Sequence, residues 1–193
     1  DQLFWRDKDY NIFPQMATDW NMSPDGLTYT FTVRDGITFH DGSALAMDDI
    51  MESHSRFARV DPLGRQLLAI SPGNEGKSSK DSAFSQSADG NTITMSFSKP
   101  TGMVLEFLAQ LDPRQPSIMH KDVWSLKPGE PVKTAVGTGA YKMDKWIQGE
   151  KLEFSKFDGY VPNKGEEWNF TKGEINQYLD GFVALDIPDH STR

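Results

Sequence analysis

The sequence predicts a mixed α+β fold. Three observations carry that expectation: strands with period-two alternation follow Asp-Gly turns, one segment switches to helical periodicity, and no regular strand–helix–strand repeat runs along the chain. Asp-Gly occurs six times, at Asp25-Gly26, Asp35-Gly36, Asp41-Gly42, Asp89-Gly90, Asp158-Gly159 and Asp180-Gly181. Gly accepts positive φ and Asp bonds its own backbone, so each pair marks a tight turn.

After Asp25-Gly26, Tyr29, Phe31 and Val33 alternate with Thr28, Thr30, Thr32 and Arg34, which makes a strand with one buried face. Ile37 and Phe39 alternate again beyond Asp35-Gly36, and the expectation is a β-hairpin closed by that pair. Met47, Ile50, His54 and Phe57 then fall at i, i+3, i+7 and i+10, one face of a helix reaching about Arg59. Asp48 and Asp49 in its first turn complement the helix dipole. Residues 71–90, rich in Ser, Gly and Lys, read as a long exposed loop. Asp89-Gly90 starts a strand with Ile93, Met95 and Phe97 inward, Pro100 ends it, and Met103 to Leu111 reads as a short helix. A Pro-rich connector from Asp112 to Pro131 leads to Gly137-Thr138-Gly139, a strand from Tyr141, a break at Gly149, a strand over Leu152–Phe157 and a last strand over Val183–Ile187.

Composition narrows the function classes. The 193 residues carry 20 Lys+Arg against 28 Asp+Glu, a net charge of −8, and no basic stripe offsets it, so nucleic acid and anionic membrane surfaces are poor partners. A hydrophobic fraction of 37% supports a core. Cysteine is absent, which excludes thiolate metal sites, thiol nucleophiles and disulfides. No run approaches the ~18 apolar residues of a membrane span. The opening DQLFWRDKDY reads as mid-domain sequence and DIPDHSTR stops just after a strand, so a fragment is expected.

Candidate chemistry is sparse. In GNEGKSSK, residues 73–80, the Gly76-Lys77-Ser78 ending of a phosphate loop lacks its first Gly (Ser71 stands there) and the helix that must follow. His40 with Asp35 and Asp41 offers an acid–base or metal cluster, yet the histidines at 40, 54, 120 and 190 never form a ligand pair at helical spacing. His40 directly precedes a turn, facing away from Phe39, and its role is left open. No Gly-x-Ser-x-Gly elbow frames a nucleophile. Gly137-Thr138-Gly139 is a turn whose backbone amides could approach a ligand closely, and Arg114 among prolines could hold a carboxylate. A plain strand-entry turn and a surface charge are the simpler readings of the same residues.

Several motifs in order resemble the family 5 extracellular solute-binding proteins of ABC importers. They are PQMATDW at 14–20, SPDGLTYTFTVRDGITFHDG at 23–42, LAMDDIMESHSRF at 45–57, VGTGAYKMDKW at 136–146 and KFDGYVP at 156–162. Ala46 departs from the usual Thr that would cap the helix, at a cost of about 1 kcal/mol. Ala140 stands where Pro is usual and Val161 where Trp is usual.

The resemblance implies a periplasmic-binding-protein-like type II fold. Residues 1–133 would be the extra α+β domain, 134–193 part of the first ligand-binding lobe, and the second lobe would lie outside this chain. It further implies a monomeric, non-enzymatic capture component, periplasmic or extracellular, with or without a lipid anchor. Such a component has no cofactor and no metal of its own, takes a peptide in preference to a nickel complex, and hands it to a membrane permease. The ligand-binding residues expected are Thr138, Gly139 and Tyr141, with Arg114 outside that group. The rival readings are a β-rich structural or adhesive module and a carboxylate-dependent hydrolase.

Overall fold

The structure, a computed structural model, describes residues 1–111, 115–127, 130–133, 135–164 and 174–187. A two-stranded ribbon, β1 (Phe4–Arg6) against β2 (Ile12–Pro14), precedes a four-stranded antiparallel sheet of β3 (Ala17–Met22), β4 (Thr28–Val33), β5 (Ser85–Asp89) and β6 (Thr92–Ser96), ordered β3-β4-β6-β5. Tyr29, Phe31 and Val33 of β4 and Ile93 and Met95 of β6 are buried, as their alternation requires.

The hairpin expected at Asp35-Gly36 does not form. Asp25-Gly26 closes the hairpin instead, joining β3 to β4: Asp25 Oδ1 accepts the Ser23 hydroxyl at 2.6 Å and the Leu27 amide at 3.0 Å, and Gly26 takes φ 68°. The other edge of β4 is occupied by β6, from Thr28 opposite Ser96 to Thr32 opposite Thr92. Residues 37–39 therefore find no ladder and make one bridge, Thr38 to Ala44. Ile37 and Phe39 are nevertheless buried, so their alternation reports burial without strand pairing.

Helix α1 (Met47–Ala58) forms where the periodicity placed it, with Ile50 and His54 buried. Its N-cap is Ala46, which has no side-chain oxygen to offer; only the reverse bond of a capping box exists, from the Ala46 amide to Asp49 Oδ2 at 3.0 Å. Helix α2 (Pro62–Ala69) was not anticipated, although its start is written in Asp61-Pro62: Asp61 Oδ1 accepts the Gly64 amide at 2.8 Å and Pro62 opens the first turn. Gly64 lets α2 sit on α1, because a Cβ there would lie 2.5 Å from Ala58 Cα and 2.9 Å from a Phe107 ring atom.

The stretch expected to be a long exposed loop contains β5 and is partly tucked in. Ser71, Asn74 and Ser82 are buried, and Asn74 Nδ2 donates to the carbonyls of Leu68 and Ala83, each at 2.8 Å. Those side-chain bonds satisfy backbone that would otherwise need water. No helix follows Gly76-Lys77-Ser78, in line with the rejected phosphate loop. Helix α3 (Val104–Leu108) and the short α4 (Lys121–Trp124) complete this part, and Trp124 Nε1 donates to Asp49 Oδ1 at 2.7 Å, tying the connector back to α1.

The third sheet, β7 (Tyr141–Ile147), β8 (Lys151–Lys156) and β9 (Gly181–Leu185), is antiparallel in chain order. The contiguous core draws its buried members from Leu3 through Ile118, so this sheet adds none of them. Trp146, Phe182, Val183 and Leu185 on it are exposed.

Candidate functional site

The segment after β4 is bonded at three places to residues that lie far along the chain. Arg34 Nη1 donates to the carbonyls of Val161 at 2.9 Å and Pro162 at 3.1 Å. Thr38 Oγ1 donates to Gly159 O at 3.3 Å. His40 does most: its amide donates to Gly137 O at 2.8 Å, its Nδ1 accepts the Gly137 amide at 3.2 Å, and its Nε2 lies 3.0 Å from Gly139 O. The Phe157 ring meets the imidazole edge-on at 5.1 Å. Arg34, Thr38 and His40 thus seam the four-stranded sheet to the strands that follow Gly137.

An amide can only donate and a carbonyl can only accept, so these contacts assign the neutral Nε2–H tautomer to His40. Burial pushes its pKa below the ordinary 6.5, partly opposed by the bond to Gly139. Burial likewise lowers the Arg34 pKa and raises that of Tyr160 beside it. Asp41 is engaged locally, its Oδ1 accepting from the hydroxyl and amide of Ser43 at 2.7 and 3.0 Å, and those bonds hold its carboxyl below the usual range.

Of the expected ligand residues, Thr138 and Gly139 lie in the turn that His40 contacts and Tyr141 opens β7 just after it. Thr138 is buried, and its Oγ1 has no hydrogen-bond partner among the described residues. The Gly139 carbonyl is occupied by His40. The Tyr141 hydroxyl donates to Leu179 O at 3.1 Å and accepts the Leu179 amide at 3.3 Å, with Phe182 packed against the ring. Arg114 and His190 lie outside the described residues. Beside the turn, a groove of about 500 Å³ is lined by His40, Val136, Lys142 and Trp146 among others.

The remaining histidines have structural surroundings. His54 of α1 is buried against Phe107, neither ring nitrogen has a hydrogen-bond partner among the described residues, and burial pushes its pKa down to about 3. His120 packs edge-on against Phe39 and stands 3.5 Å from Asp41. No group of three or more His, Cys, Asp or Glu able to hold a metal ion occurs among the described residues.

Comparison with known proteins decides the family. The profile of the bacterial extracellular solute-binding proteins, family 5 Middle, matches residues 11–193. The chain belongs to that family. The mixed helix-and-strand structure matches the fold of solved periplasmic binding proteins of the type II class.

Among its family 5 relatives is a probable peptide ABC transporter periplasmic-binding protein, y4tO, of Sinorhizobium fredii. The two are 31% identical over 185 residues, 95% of this chain and 32% of that protein. The dipeptide-binding protein of Escherichia coli is 28% identical, covering 94% of this chain and 34% of its own length. A solved structure, the ABC transporter-associated periplasmic binding protein DppA from Helicobacter pylori in complex with peptide STSA, superposes with a TM-score of 0.67 at 30% identity. It covers all of this chain and 37% of that one. The chain spans about a third of the length of the relatives it matches. These relatives are binding proteins of transporters, and no helix among the described residues is long and apolar enough to cross a membrane.

Proposed function

We propose that the protein carrying this chain is the substrate-binding component of an ABC importer. It captures a peptide-like solute outside the membrane, closes its lobes around it and delivers it to a permease. The observation that carries this reading is the family 5 match across residues 11–193, supported by the peptide-binding relatives. In it, residues 1–133 form the extra domain, 134–193 contribute to the first lobe, and the protein acts as a monomer without catalysis, free or lipid-anchored.

Thr138, Gly139 and Tyr141 are the ligand-facing residues in this reading, with Arg114 as an outer contact. Thr138 supports it best: an unpartnered buried hydroxyl costs about 1–3 kcal/mol, and a ligand reaching it through a small movement of the turn would recover that cost. The Gly139 carbonyl and the Tyr141 hydroxyl are bonded within the chain, so the share of these two residues is shape and backbone placement.

A thermal-shift screen of the full-length protein tests the proposal. Peptides of two to five residues should raise the melting temperature in a concentration-dependent way, since a ligand that binds only the folded state stabilises it. A shift with sugars or nickel–histidine and none with peptides would reassign the solute. No shift with any of them would remove the importer reading in favour of a structural module.

A further inference from the structure

We propose that His40 is the positioning residue of the Gly137–Gly139 turn, holding it through both ring nitrogens in the neutral form, so that protonation releases its Gly137 end. The two ring bonds need opposite roles: a lone pair on Nδ1 for the Gly137 amide and a proton on Nε2 for the Gly139 carbonyl. Only the neutral Nε2–H imidazole supplies both. The backbone bond from the His40 amide to Gly137 O fixes the same pair of residues a third time. Phe157 fixes the ring plane from the other side, and its own amide is tied to Ala140 O at 3.0 Å, one residue past the turn.

Protonation would put an N–H on Nδ1 facing the Gly137 N–H, a repulsive pairing, while the Ala135 carbonyl favours the protonated ring. Acid therefore breaks the Nδ1 bond to Gly137 and keeps the Gly139 bond. The charged residues lining the groove beside the ring are Asp41, Lys133 from the connector, and Lys142, Asp144 and Lys145 from β7. Lys142 disfavours the imidazolium electrostatically. The neutral, turn-holding form is thus the one present at neutral pH.

The inference deepens the functional reading by naming what sets the turn that carries Thr138. Its functional weight rests on that reading, but its test needs no ligand, so the two can fail separately.

The test is residue-resolved hydrogen exchange at the Gly137 amide in the full-length protein, with ring ¹⁵N spectra of His40. Three variants divide the roles. His40→Asn keeps an acceptor in the place of Nδ1, His40→Gln keeps a donor in the place of Nε2, and His40→Phe keeps the ring without either. After correction for intrinsic rates, Gly137 should exchange roughly tenfold faster in His40→Phe and near the wild-type rate in His40→Asn. His40→Gln should protect it no better than His40→Phe does. In the wild type that protection should fall as His40 titrates, whereas in His40→Asn it should not change with pH. Equal protection in wild type and His40→Phe, or an Nδ1–H tautomer in the ring spectrum, would overturn the proposal. If His40→Phe does not fold, the wild-type and His40→Asn pH profiles decide: parallel profiles refute it.

Discussion

His40 and Gly137 bind each other twice across 97 positions of chain, amide to carbonyl at 2.8 Å and amide to imidazole Nδ1 at 3.2 Å. That reciprocal pair turns a histidine flanked by acidic residues into a structural joint. Both of its ring nitrogens are engaged by the backbone of the Gly137–Gly139 turn. Together with Arg34 and Thr38 it makes residues 34–40 the seam between the four-stranded sheet and the strands after Gly137.

Breaking the seam at its other end should be costly. Replacing Arg34 with Met removes two hydrogen bonds to the Val161 and Pro162 carbonyls and leaves those acceptors without their donor. Chemical denaturation should show a loss of about 1–3 kcal/mol. Arg34→Lys should recover only part of it, because Nη1 makes both bonds and the Lys side chain is one bond shorter than the path to that nitrogen.

His54 makes stability depend on pH. Its folded-state pKa of about 3 lies below the ordinary 6.5, so between those values the unfolded chain binds a proton that the folded chain does not. Unfolding free energy therefore falls as pH drops from about 6.5 towards 3, by about 1.4 kcal/mol per unit from this group. Below that window the contribution levels off. His54→Leu should flatten this slope, and removing two unbonded buried nitrogens should leave stability at neutral pH unchanged or raised. Urea melts at a series of pH values would show both effects.

Thr138→Val separates a ligand role from a packing role. The hydroxyl has no partner among the described residues, so the isosteric change should leave the melting temperature of the unliganded protein unchanged or higher. Peptide affinity should drop by about tenfold if the hydroxyl bonds the ligand, a loss near 1.4 kcal/mol. An unchanged dissociation constant would take Thr138 out of the site.

Two substitutions in the helical layer test its packing. Ala46→Thr supplies the cap that α1 lacks and should stabilise by about 1 kcal/mol, since the Asp49 half of the capping box is already in place. Gly64→Ala forces α2 off α1, because the new methyl would overlap Ala58 and Phe107, and should destabilise by about 1–3 kcal/mol. Thermal melts of the two variants should move in opposite directions.

Legibility in the sequence followed the range of the interaction. β4, β6, β7, β8 and α1 could be read because their apolar periodicity is a local property, whereas α2 was missed although Asp61-Pro62 carries its start signal. The hairpin at Asp35-Gly36 was misread because alternation records burial and does not name the strand partner; β6, some sixty residues on, had already taken that edge of β4. β5 hid in a Ser-rich stretch because its pattern is polar and its existence depends on β6.

The site shows the same limit. Motif order identified the family, but the role of His40 needed Gly137 and Gly139 brought beside it, which no spacing along the chain displays. The resemblance marked Thr138, Gly139 and Tyr141; the pattern of occupied and unoccupied polar atoms among them came only with coordinates.

The most direct measurement is isothermal titration of the full-length, ligand-free protein with short peptides, Ser-Thr-Ser-Ala among them. The account predicts saturable one-to-one binding to at least one peptide. Absence of heat and of competition with every peptide, in protein that melts cooperatively, would contradict it.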